Sequence, residues 1–242
     1  MSDFEAFFFI GKPVEFEHLC LVYPPTVSDV LNKEFGFYRR ILTYSQEEIE
    51  DEYVKEKLDM SDMLTPLEFL LSNCFRNKEI EEMTRRAFYL FTREKVTFLY
   101  TKKEIVLGDI AQLSTVKDLR VLNETNFFDF QNLIRESMGE KPVDKPDPTM
   151  HPKIKAMKAK ARYRDKIKAK KNGLNLKSIL ASICCMEMGL NPLNIGELSY
   201  AAIGPLMSMY QDKEKYDIDI RSLQAGAKKK DVQLKYWIRN LE

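Results

Sequence analysis

Apolar positions recur along this chain at two periods, and the alternation between them predicts a mixed fold. Phe7-Phe8-Phe9-Ile10 reads as a strand, Gly11-Lys12-Pro13 as a turn, and residues 14–22 as the returning strand of a hairpin. On that second strand Val14, Phe16, His18, Cys20 and Val22 share one face; Glu15 and Glu17 share the other with Leu19 and Leu21. Pro24-Pro25 ends it. Helical spacing then begins: Val27, Val30, Leu31, Phe35, Tyr38 and Leu42 fall on one stripe, with Thr26 or Ser28 as cap and Gly36 weakening the middle. Residues 46–52 are acidic and are expected as a solvated helix or loop. Thr65-Pro66-Leu67-Glu68 is a sharp helix start, with a capping Thr, Pro at the first position and Glu closing the box. Leu67, Leu70, Leu71, Cys74 and Phe75 form its stripe, and a further helix over 79–93 turns Ile80, Met83, Ala87, Leu90 and Phe91 inward. Residues 96–100 and 105–107 flank 101–104 as a second hairpin. Asn123 or Thr125 caps a helix over 126–138 that Gly139 stops.

Pro142, Pro146, Pro148 and Pro152 then fall within eleven residues and mark the expected boundary. Beyond it, residues 153–171 carry ten Lys/Arg and one acid, Asp165, on an Ala-rich segment of helical propensity. Its apolar stripe is thin: Ile154, Met157 and Ala161. A helix is expected over 176–188, and another, capped by Asn194 and kinked at Gly204-Pro205, carries Ile195 to Tyr210. Residues 216–223 are read as extended ahead of a short helix, and Asp231 as the cap of a last helix holding Val232, Leu234, Tyr236, Trp237 and Leu241. The expected architecture is α+β, mainly α. It has an acidic domain over 1–140 with two hairpins and several helices, a linker over 141–152, and a basic helix plus helical domain over 153–242.

Charge sharpens that division. The 242 residues sum to a net +1, yet 1–140 hold 17 Lys+Arg against 26 Asp+Glu, and 141–242 hold 21 against 11. Such a split fits two modules with different partners, or two parts that attract each other. No apolar run reaches the length of a membrane span, and the acidic start with its short apolar stretch does not read as a secretory leader. Four cysteines without a C-x-x-C spacing (Cys20, Cys74, Cys184 and Cys185) are expected as reduced thiols.

Catalytic chemistry finds little purchase. Only His18 and His151 are present, and no metalloprotease, nucleophile-elbow or phosphate-loop motif occurs. Asp217 and Asp219 lack a third ligand and read as surface charge. No catalytic residue, metal or cofactor is therefore expected. The candidate binding residues are Lys158, Lys160, Arg162, Arg164, Lys166 and Lys168 on the basic stripe, and Tyr236, Trp237 and Arg239 near the C-terminus. A basic stripe neutralises phosphates, docks an acidic protein, or simply stays solvated. One Tyr, Tyr163, offers stacking there, so nucleic-acid binding is expected to be weak or incidental. Tyr236-Trp237 is either a clamp closing the second domain or a partner anchor. Eleven Met residues add adaptable apolar surface.

Three stretches carry a family resemblance. They are Ile10-Gly11-Lys12-Pro13-Val14-Glu15-Phe16 with Leu21-Val22-Tyr23-Pro24-Pro25-Thr26-Val27, residues 122–135 (LNETNFFDFQNLIR), and residues 216–227 (YDIDIRSLQAGA) ending in Trp237-Ile238-Arg239-Asn240. The pattern resembles the tail assembly chaperones of long-tailed bacteriophages. That resemblance implies a non-enzymatic, largely helical protein of the host-cell cytoplasm whose partners are tape measure, tail tube or baseplate proteins. A structural tail or baseplate subunit retained in the virion is the alternative, and a nucleic-acid-binding adaptor a second one. The opposite charges of the two halves also suggest self-association, and no membrane partner is expected.

Overall fold

Hydrogen-bonding, packing and exposure were read from a computed structural model. It describes residues 3–59, 62–108, 119–145, 154, 157, 161, 164, 175–186, 189–228, 232, 236 and 238. The chain is α+β with helix dominant. It divides into two units: Met1–Val143 with Gly196–Glu242, and Asp144–Ile195.

The first unit opens on helix α1 (Asp3–Phe9). A strand was expected at Phe7–Ile10, but only Phe8 is buried there, while Phe7 and Ile10 are exposed. A half-buried strand would bury Phe8 and Ile10 together on one face; burial of Phe8 alone suits a helical turn. Gly11 at φ +75° ends α1, with Lys12 N–H returning to the Phe7 carbonyl. The hairpin forms instead inside residues 14–22. Strand β1 (Val14–Phe16) pairs antiparallel with β2 (Cys20–Val22), with Phe16 opposite Cys20. Glu17 and His18 turn the chain at φ 44° and 58°, so His18 sits on the turn and not on the strand face. Val14, Phe16, Cys20 and Val22 do share the buried face.

The expected long helix from Val27 is two: α2 (Val27–Val30) and α3 (Phe35–Thr43). Thr26 and Asp29 cap α2 reciprocally. The break lies at Asn32, whose side chain accepts from Glu34 N–H in a local turn, rather than at Gly36. Helix α4 (Gln46–Glu56) covers the acidic stretch and is only partly solvated, because Ile49 and Tyr53 are buried with Tyr44 against Met63 and Phe69. Helix α5 (Pro66–Arg76) starts as expected, with the Thr65–Glu68 box in place and Pro66 first. Phe75 departs from its expected stripe and is exposed, lying edge-on to Tyr100. Helix α6 (Lys78–Thr92) follows, with Phe88 fully buried beside Ala87 and Phe91.

Strands β3 (Val96–Leu99) and β4 (Glu104–Leu107) make the second hairpin, and β5 (Arg120–Leu122) adds an unexpected third strand against β4. Helix α7 (Phe127–Ser137) closes the core. Phe130 stacks on Phe88 at 5.8 Å and meets Phe16 edge-on at 5.5 Å, so one aromatic cluster joins β1, α6 and α7. Two polar side chains of α7 tie it to the end of α3. Gln131 donates to the Leu42 and Tyr44 carbonyls, and the buried Arg135 donates to that of Thr43. These are carbonyls that the end of a helix leaves without an internal donor.

The same unit takes in the C-terminal stretch. Thr26 and Ser199 form a bridge, Tyr200 N–H donates to the Pro25 carbonyl, and the Ser199 hydroxyl donates to the Phe8 carbonyl at 2.6 Å. These bonds carry residues 196–242 into the body made by residues 1–143, whereas the pattern reading grouped them with 153–195. A 25-residue helix then runs from Tyr200 to Gln224; it is called α9, and α8 lies before it in the second unit. It passes through Pro205 and takes in residues 216–223, expected as extended. Gly139, at φ +73°, abuts its first turn: a Cβ there would lie 3.2 Å from the Ala201 Cα and carbonyl oxygen. Pro205 lacks the N–H that would bond that carbonyl inside the helix. Val232, Tyr236 and Ile238, the described residues of the expected last helix, are not helical.

The second unit contains α8 (Leu176–Cys184), capped by Asn175 and shorter than expected. A locked loop follows it: Asn191 N–H donates to the Asn194 side chain, Leu193 N–H to the Asn191 side chain, and Asn194 to the Gly189 carbonyl. Ile154, Met157, Ala161 and Arg164 of the basic segment are helical.

Candidate interaction surfaces

His18 projects from its turn, and its Nδ1 lies 2.6 Å from Glu15 on the same hairpin. Burial pushes the Cys20 thiol up to about 12 and the Cys74 thiol up to about 11, so both remain protonated. Cys184 is half-buried and Cys185 exposed, and all four thiols are free. Asp217 pairs with Lys213 one helical turn before it, at 2.9 Å, and Asp219 shares the same helix α9. Among the described residues no three His, Cys, Asp or Glu side chains converge to hold a metal ion. Among the described residues Arg135 is the one buried cation: burial lowers its pKa, and the Glu48 and Glu140 carboxylates oppose that shift.

Surface chemistry concentrates in three places. The first is the basic segment. Of its candidate residues Arg164 is described, helical and exposed; Lys158, Lys160, Arg162, Lys166 and Lys168 lie outside the described residues. Ile154 and Met157, one turn apart, are 51% and 71% exposed. Ala161 and Arg164 are likewise helical and exposed. The second unit as a whole holds 12 Lys+Arg against 4 Asp+Glu.

The second place is the Asn191–Asn194 loop. Its three side-chain-to-backbone bonds hold Leu193 at the tip, 97% exposed. A large aliphatic side chain on a rigid polar loop has little to gain from water and suits insertion into a partner. Composition gave no sign of it; the signal was the Asn-x-x-Asn spacing around a lone Leu.

The third is α9. None of its residues beyond Ile203 is fully buried, although Leu206, Met209, Ile220 and Leu223 are apolar. Tyr236 lies edge-on to Tyr216 at 5.8 Å and is 65% exposed; Trp237 and Arg239 lie outside the described residues. On the first unit Phe4, Phe7 and Ile10 of the α1 region are also exposed, a face the strand reading concealed. No described helix is long and apolar enough to cross a membrane.

Two of these three places lie wholly within a recognisable module, and the basic segment overlaps its start. Residues 168–242 match the family model of the YomV second domain. That family is associated with bacteriophages. The YomV-type segment covers the end of the basic run, α8, the Asn191–Asn194 loop and α9, and leaves residues 1–167 outside. Its span crosses the unit boundary at Ile195, so the module contributes to both units. No curated protein and no solved structure matches the chain.

Proposed function

We propose that this chain is a non-enzymatic bacteriophage tail-assembly protein, a chaperone that binds the tape measure protein, tail tube subunits or both in the host cytoplasm. The observation that carries the reading is the phage-associated YomV-type segment, together with the binding features it bears. Those features are an aliphatic tip on a locked loop and a long helix without fully buried residues past its first turn. Long helical partners are held by helix faces laid into apolar grooves, and the stretch of α9 beyond Ile203, none of it fully buried, supplies such a face. The reading needs no metal or cofactor.

Nuclease-treated affinity capture from phage-producing cells, with mass spectrometry of the bound proteins, tests it. Recovery of tape measure or tail tube protein, with this chain absent from purified virions, is the expected result. Stoichiometric presence in virions replaces the chaperone by a structural tail or baseplate subunit. Binding that vanishes on nuclease treatment replaces both by a nucleic-acid adaptor acting through residues 153–171.

A further inference from the structure

The Asn191–Asn194 loop is built so that its tip holds no open backbone donor. Asn191 N–H donates to the Asn194 side chain at 2.7 Å, and Leu193 N–H to the Asn191 side chain at 2.8 Å. Asn194 and Ile195 N–H both return to the Asn191 carbonyl, at 3.1 and 3.0 Å. Pro192 has no N–H to offer. Across residues 191–195 every backbone donor is therefore satisfied inside the loop. The Asn194 amide closes the loop on the Gly189 carbonyl, and the buried Ile195 plants its base.

Charge is missing from the tip as well. Residues 189–196 hold no Asp, Glu, Lys or Arg, in a chain that is 31% charged. A partner that strips water from this tip strands neither a backbone donor nor a charge, so the desolvation cost is small. The loop is fixed by its own bonds before any partner arrives, so little conformational entropy is lost on docking. Phosphates gain nothing here, since the tip has no cation and no open N–H to meet them. A single branched side chain standing clear of a loop is covered on all sides only by a cavity.

We propose that Leu193 is an anchor that enters a cavity of a folded protein partner, one lined by apolar side chains and closed by an uncharged rim. This deepens the tail-assembly reading and rests on it for the partner being a tail protein, not for the mode of docking. With no charge at the contact, docking is not steered electrostatically and is insensitive to salt.

The test is photo-crosslinking of the full chain in phage-producing cells, with Leu193 replaced by p-benzoylphenylalanine. The same replacement at Lys177, an exposed position at the start of α8, is the control. Position 193 is expected to give one discrete adduct that position 177 does not. The adduct also forms in lysate at about 0.5 M salt, where exposed charges are screened. Its cross-linked peptide in the partner is expected to be apolar and free of charged residues. For the partner so identified, Leu193→Ala weakens binding about thirtyfold and Leu193→Met far less, with helix content by circular dichroism unchanged in both. No adduct, adducts scattered over many proteins, an adduct lost in salt, a charged cross-linked peptide or an unaffected Leu193→Ala each overturns the anchor. An adduct that meets every criterion on a protein outside the tail keeps the anchor and overturns the tail-assembly reading instead.

Discussion

At the scale of single residues, the chain shows where a side chain is forbidden and where one is demanded. Gly139 combines a left-handed backbone with backbone atoms of Ala201 at 3.2 Å from any Cβ. Gly139→Ala is therefore expected to lower stability by about 2–3 kcal/mol, since strain and overlap act together. Gly36→Ala is the contrast: the position is exposed, helical and open within 4 Å, and about 0.5–1 kcal/mol of stabilisation is expected. Urea unfolding of both separates the effects. Arg135 answers the opposite need. Its guanidinium and the Gln131 amide satisfy the carbonyls of Leu42, Thr43 and Tyr44, so Arg135→Met leaves a buried carbonyl unmet and is expected to cost about 2–3 kcal/mol. Gly36 was legible in the sequence as a weak point of its helix, but the roles of Gly139 and Arg135 were not. A buried Arg reads as a surface Arg until a facing helix end is known, and Gly139 reads only as a helix stop.

Elements were legible where their signals are local. The Thr65-Pro66-x-Glu68 start of α5 and the stop at Gly139 depend on neighbours within four residues, and both stand as read. Elements defined by a distant partner were not: β5 is three residues long and exists through β4. The Phe7–Ile10 run has strand composition but a helical environment, since Ile10, which a strand would bury beside Phe8, is exposed. The α5 cap makes a quantitative test. The Thr65 hydroxyl accepts from Glu68 N–H and donates to Glu124 at 2.5 Å, so Thr65→Ala is expected to cost about 1–2 kcal/mol and Thr65→Ser much less. Glu68 adds a pH dependence. Its pKa is lowered by the Lys103 ammonium first, then by the Thr65 backbone N–H. A carboxylate held lower in the folded than in the unfolded state contributes fully above its ordinary value. The contribution is lost as pH falls through the folded one. Acid unfolding should therefore show a steeper loss below about pH 4.5 in the wild type than in Glu68→Gln, whose stability at neutral pH is lower.

For the whole molecule, composition disclosed a charge split but not which residues share a body. The proline cluster and the change of sign drew attention to residue 141 onward; nothing local announces that Ser199 and Tyr200 return to Phe8 and Pro25. Of the candidate binding residues, Arg164 and Tyr236 are seen on the surface, while the Leu193 tip escaped pattern reading because a single Leu has no period. Leu193→Asp should leave the melting temperature unchanged, as a fully open side chain holds up no core, and should weaken capture of the tail partner. A fall in melting temperature would show instead that the tip is packed. The return of residues 196–203 to the first body also sets an order in time. A ribosome releases residues 1–143 first, yet Gly196, where the chain rejoins that body, follows only after the 52 residues of the second unit. Until then the Phe8 carbonyl waits for the Ser199 hydroxyl, and the first body stays open until residues 199–203 emerge. Synthesis that halts near residue 195 leaves a body without its closing strap, which proteases and chaperones distinguish from the finished protein by its open edge.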